Sequence, residues 1–80
     1  MIPDKNDPRW REVLLNPVDV PINNFATKML LTRARTLAKT EPVDVKLQEA
    51  IDIAFAFFTK NQFLVADDIQ SLFGPVTEAT

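Results

Sequence analysis

The side chains that could do chemistry in this chain are few, and their spacing works against most of it. Ser71 is the only serine, and there is no histidine, cysteine or tyrosine. No imidazole can therefore activate the hydroxyl, and general acid–base work would fall to carboxylates alone. The adjacent pair Asp67 and Asp68 sits where a helix start is expected, and the helix macrodipole already accounts for acids there. Gly74 is the lone glycine, so no glycine-rich loop cradles a phosphate. The carboxylates lack the loop spacing of a calcium site, and the usual zinc ligands are missing. These residues predict no catalytic centre, no metal site and no cofactor, and so a chain that is not an enzyme.

The charges say more. Residues 20–40 hold Lys28, Arg33, Arg35 and Lys39 and no acid, whereas residues 41–80 hold seven acids against Lys46 and Lys60. On a helix, Asn24, Lys28, Thr32, Arg35 and Lys39 fall in one narrow sector. Exposed helix faces usually mix signs, because oppositely charged pairs four apart help the helix. This sector is either a docking strip for an acidic partner or phosphates, or a solvated face balanced by acids elsewhere in the domain. Arg33 breaks the pattern, because it falls beside Ile22, Met29 and Leu37. Either it pairs with Asp19 or Glu12 and pins the first helix to the second, or that face meets a partner instead of the chain's own core.

Four helices are expected to position these residues. "DPRWREVLL" begins one, with Asp7 as N-cap and Pro8 in the first turn, and Asn16-Pro17 ends it. "PVDVP" (17–21) reads as an extended link. A second helix over residues 22–39 should bury Ile22, Phe25, Ala26, Met29, Leu30, Ala34 and Leu37. A third, over residues 44–60 and capped by Asp44, should bury Val43, Leu47, Ala50, Ile51, Ala54, Phe55 and Phe58. Ile53 and Phe57 lie beyond that stripe, four apart. They are either covered in a central helix or form an interface patch. A short fourth helix should run from Asp67 to Phe73, closed by Gly74-Pro75. The preceding "FLVA" (63–66) should be an extended connector, with a short strand as the alternative.

The third and fourth segments, "EAIDIAFAFFTKNQFLVADDIQSLFG", resemble the first two helices of a helix-turn-helix or winged-helix domain. The resemblance implies that a recognition helix should come next. Pro75 to Thr80 are too few for one, and no base follows Gly74.

Eighty residues allow one domain of modest stability, with residues 1–6 and 75–80 expected to be flexible. The 46% hydrophobic and 25% charged composition is that of an ordinary globular chain. The longest apolar run, Ile53 to Phe58, is far short of the roughly 20 residues a membrane span needs. The charged "MIPDKNDPRW" is unlike a signal peptide, so a cytoplasmic setting is expected.

The expected fold is a small all-α bundle, two longer antiparallel helices flanked by two short ones. The expected function is a non-catalytic protein–protein interaction module: an adaptor, regulator or accessory subunit. Its partner-binding residues would be Lys28, Arg33, Arg35, Lys39, Ile53 and Phe57. The partner would be another protein, acidic in character or a second copy of the chain, with no role for a membrane. The alternative is a nucleic-acid-associated regulator. Its electrostatic footprint is weak, since the net charge is −2.

Overall fold

A computed structural model describes residues 2–16 and 22–73. Among them are four helices and no strand: α1 (Pro8–Leu15), α2 (Phe25–Ala38), α3 (Val43–Lys60) and α4 (Gln62–Phe73). The all-α bundle expected from the periodicity is the observed architecture.

Local chemistry sets most of the helix ends. Asp7 caps α1, its carboxylate accepting from Arg9 N at 2.9 Å, with Pro8 in the first turn. Asn24 caps α2 by accepting from Thr27 N at 3.0 Å. For α3 the cap position is Pro42, with no side-chain bond. Asp44, expected as the cap, stands instead in the first turn, where the exposed N–H groups favour a carboxylate.

The fourth helix differs most from expectation. It begins at Gln62, so "FLVA" is helical and is neither connector nor strand. Asp67 lies inside the helix and does not cap it. Asn61 alone makes the turn between α3 and α4. Its N–H and Nδ2 both donate to Phe57 O, while its own carbonyl accepts from Leu64 N and Val65 N. One residue thus ends one helix and starts the next. Phe63 and Val65 favour strands in isolation, but burial of Val65 and Ile69 against the core, with the helix propensity of Leu64, rewards the helical turn more. Gly74-Pro75 and the link at 17–21 lie outside the described residues, as do residues 75–80.

The core is built around Trp10. Its ring packs on Phe73 at 4.8 Å, Phe58 at 5.5 Å and Phe55 at 6.4 Å between centroids. The indole Nε1–H donates to Pro3 O at 3.3 Å, so the buried polar atom of the ring has a partner. Residues 2–6 lie against the helices: Pro3 is buried, and Lys5 Nζ reaches Asp52 Oδ1 at 3.0 Å. α1 packs on both α2 and α3, and α4 packs on α1 and α3.

α2 and α3 meet through small residues. Ala34, Ala38, Ala50 and Ala54 are all buried, with Leu31, Leu47 and Ile51 filling the remaining space. The face that α2 turns inward is Thr27, Leu31, Ala34 and Ala38. That is rotated by roughly 100° from the face expected from the sequence. The physical reason is the closeness that alanine permits. Two helices whose contact residues are small approach further and bury more backbone-proximal surface than a Phe–Met stripe would allow.

Candidate functional site

That rotation decides what the molecule shows to its surroundings. Phe25 and Met29, expected inside, are 76% and 43% exposed. They occupy the centre of the outward face of α2, one turn apart, opposite Thr27, Leu31 and Ala34. Thr32 and Thr36 continue that line along the helix. Their hydroxyls donate to Lys28 O at 2.9 Å and Thr32 O at 3.0 Å, and Thr40 Oγ1 donates to Thr36 O at 2.9 Å. Each hydroxyl donates back onto its own helix, so its donor is spent locally while its oxygen can still accept from water, and the methyl groups are the apolar part of these side chains.

The cations flank this line. Lys28 and Lys39 lie along one edge and Arg33 along the other, all three exposed. The ion pairs among the described residues are Lys5 with Asp52, Arg9 with Asp7, and Lys46 with Glu49. Lys28, Arg33 and Lys39 join none of them. Of the two expectations for Arg33, pairing with Glu12 is not seen, and Asp19 lies outside the described residues. Arg33 does share a face with Met29, as expected, but that face is turned to solvent.

Arg35, expected in the same solvent strip, is set apart from the other three. It is half-buried, and its Nε–H donates to Val13 O at 3.3 Å, which ties α2 to α1. Beside it is an open cleft of about 290 Å³ lined by Arg9, Glu12, Val13, Asn16, Leu72 and Phe73 as well. Arg9 in that cleft is already engaged: its guanidinium holds both oxygens of Asp7 and lies 5.8 Å from the centre of the Phe73 ring. The hydrogen bonds from Arg9 hold the Asp7 carboxyl below the usual carboxylate range, and Asp7 in turn raises the Arg9 guanidinium.

On α3, Ile53 is 48% exposed, and Phe57 is half-buried with its ring edge-on to Phe58 at 5.9 Å. By helical position both sit on the flank of α3 away from Phe55 and Trp10. Leu30 and Leu37, half-buried on α2, occupy the corresponding flank of that helix. Ile53 and Phe57 are therefore neither sealed in the core nor fully bare. Two further apolar residues, Phe63 and Leu64, are 94% and 68% exposed in the first turn of α4. The Asn24 side chain donates from Nδ2 to Leu64 O at 3.3 Å, so the exposed starts of α2 and α4 adjoin.

The remaining acids have structural settings. Asp68 is buried, and its two oxygens accept from Asn23 N at 2.9 Å and Asn24 N at 3.3 Å. It thus clamps the start of α2 onto α4, with the macrodipole of α2 favouring its charge. Hydrogen bonds from Lys5 and then from Gln48 lower the Asp52 carboxyl. Ser71 Oγ donates to Asp67 O at 3.1 Å on the surface. No described residue brings a base to Ser71, and Asp67 and Asp68 face different surroundings.

Phe25, Met29 and Val43, expected inside, are surface residues, and so are Phe63 and Leu64, which the sequence pattern does not single out. One signal was present for α2: a second stripe at 27, 31, 34 and 38 with regular three- and four-residue steps. Thr27, a polar residue, weakens that stripe beside the more apolar one. No family model, curated protein or solved structure matches this chain.

Proposed function

We propose that this chain is a non-catalytic protein–protein interaction module, an adaptor, regulator or small accessory subunit acting in the cytoplasm. The surface it would use is the outward side of α2 and the adjoining flank of α3. Lys28, Arg33 and Lys39 supply the charge, and Ile53 and Phe57 the apolar contact. Arg35 takes a lesser part, since its guanidinium is turned toward α1. The observation that carries the reading is the outward face of α2, where Phe25 stands exposed and Met29 partly exposed between cations that pair with no described carboxylate. Apolar side chains uncovered in this arrangement favour association, because each Phe or Met fully buried contributes roughly 1.5–3 kcal/mol before the costs of binding.

Affinity capture from the native host tests this. A discrete protein should be retained by the wild-type chain after nuclease treatment. It should be lost with the Lys28→Glu/Lys39→Glu variant or with Ile53→Ser. Retention that vanishes with nuclease, together with duplex binding that falls steeply as salt rises, would replace this reading with the nucleic-acid one.

A further inference from the structure

The outward face of α2 has a definite form: a central apolar line and a positive edge on each side. The line runs from Phe25 through Met29 and along the methyl groups of Thr32, Thr36 and Thr40. At 1.5 Å per residue it is about 22 Å long, the length of a helix of four turns. Between residues 24 and 40 there is no acid, so the strip carries one sign of charge along its whole length. Glu41, exposed, directly follows one end of the strip, and Asp67 is exposed on α4 beside Asn23 at the other.

We infer that this strip seats an acidic, amphipathic helix of another protein. The inference rests on the interaction-module reading and adds the chemistry of the partner. A helix laid along α2 would set its own apolar stripe on Phe25 and Met29. Its flanking carboxylates would meet Arg33 on one side and Lys28 and Lys39 on the other. Charge complementarity selects this occupant, because both edges of the strip are positive and a basic segment would meet like charge on either side. A second copy of the chain, placed α2 against α2, would bring cations against cations. The threonine hydroxyls have already given their donor to their own backbone, so covering them strips only the hydration of the acceptor lone pairs.

The probe is a fluorescent synthetic peptide of four helical turns, with leucine along one stripe and glutamate on both flanks. Its twin carries lysine in place of each glutamate. Anisotropy titrations should show the glutamate peptide binding at least tenfold more tightly than the lysine twin. The Lys28→Glu/Arg33→Glu variant should reverse that order. Phe25→Gln/Met29→Gln should weaken binding at least tenfold while its circular dichroism and melting curve match the wild type. Equal binding of the two peptides, or binding of neither, would overturn the inference. So would binding of phosphatidylserine vesicles or duplex DNA that depends on the same residues while neither peptide binds. If a nuclease-resistant host protein is captured, lost with Ile53→Ser but kept with Phe25→Gln/Met29→Gln, the α2 seat fails and the interaction-module reading survives.

Discussion

The two sides of α2 treat the same kinds of residue in opposite ways. Toward α1 and α3, aromatic rings from α3 and α4 close on Trp10, Arg9 is held by Asp7, and Arg35 bonds to the backbone of α1. On the outward side, Phe25 and Met29 have no covering element among the described residues, and Lys28, Arg33 and Lys39 have no described carboxylate. Side-chain type therefore does not divide the helix into core and surface. The alanines do, because they set which side of α2 can approach α3. Apolar residues left over on the other side are then available to something else.

The contrast can be broken first at its inner side. Trp10→Ala removes the ring on which three phenylalanines converge and should cost about 3–5 kcal/mol in urea unfolding followed by far-ultraviolet circular dichroism. That is a large part of the total for a domain this small. Asp68→Ala should cost about 2–4 kcal/mol, since two backbone N–H groups lose a charged acceptor. Asp68→Asn, which keeps one oxygen, should cost less. Amide exchange should show the loss concentrated at the start of α2.

Thr27 offers a change of opposite sign. Its hydroxyl is fully buried and has no hydrogen-bond partner among the described residues. Thr27→Val keeps the shape and removes that hydroxyl, so stability should rise by about 1 kcal/mol. A fall of that size would mean that the hydroxyl has a partner after all.

The smallest effect is that of pH. Asp7 and Asp52 are both lowered in the folded chain, by Arg9 and by Lys5 respectively. A carboxyl lowered on folding contributes stability that is complete above its unfolded value, near 4, and is lost as pH falls through the folded value. Both groups reach solvent, so the contribution is modest. Urea midpoints should decline below about pH 4, and Asp52→Asn should make that decline shallower.

The legible part of this fold followed from strong local signals. Asp7-Pro8 announced α1, and Leu47, Ala50, Ile51, Ala54 and Phe58 announced the buried stripe of α3. What was not legible depended on contacts distant in sequence. The helical state of residues 63–66 rests on burial of Val65 and on Asp68 reaching back to residues 23 and 24. The orientation of α2 was ambiguous because apolar residues occur around most of its girth. Only its partner helix, with alanine at 50 and 54, selects between two stripes that are equally periodic. For the candidate surface, the acid-free run of cations was plain in the sequence. The apolar residues between those cations are visible too, but periodicity alone places them on the inner side of the helix.

A partner seat on α2 requires that Phe25 and Met29 contribute little to the folding of the domain. Urea unfolding of the Phe25→Gln/Met29→Gln variant tests it directly, since glutamine keeps good helix propensity. The unfolding free energy should stay within about 1 kcal/mol of the wild type, since two exposed positions change and Met29 is partly covered. A loss of about 3 kcal/mol or more, the size expected for removing a buried Phe and Met, would place both residues in the core and leave α2 with no face to offer a partner.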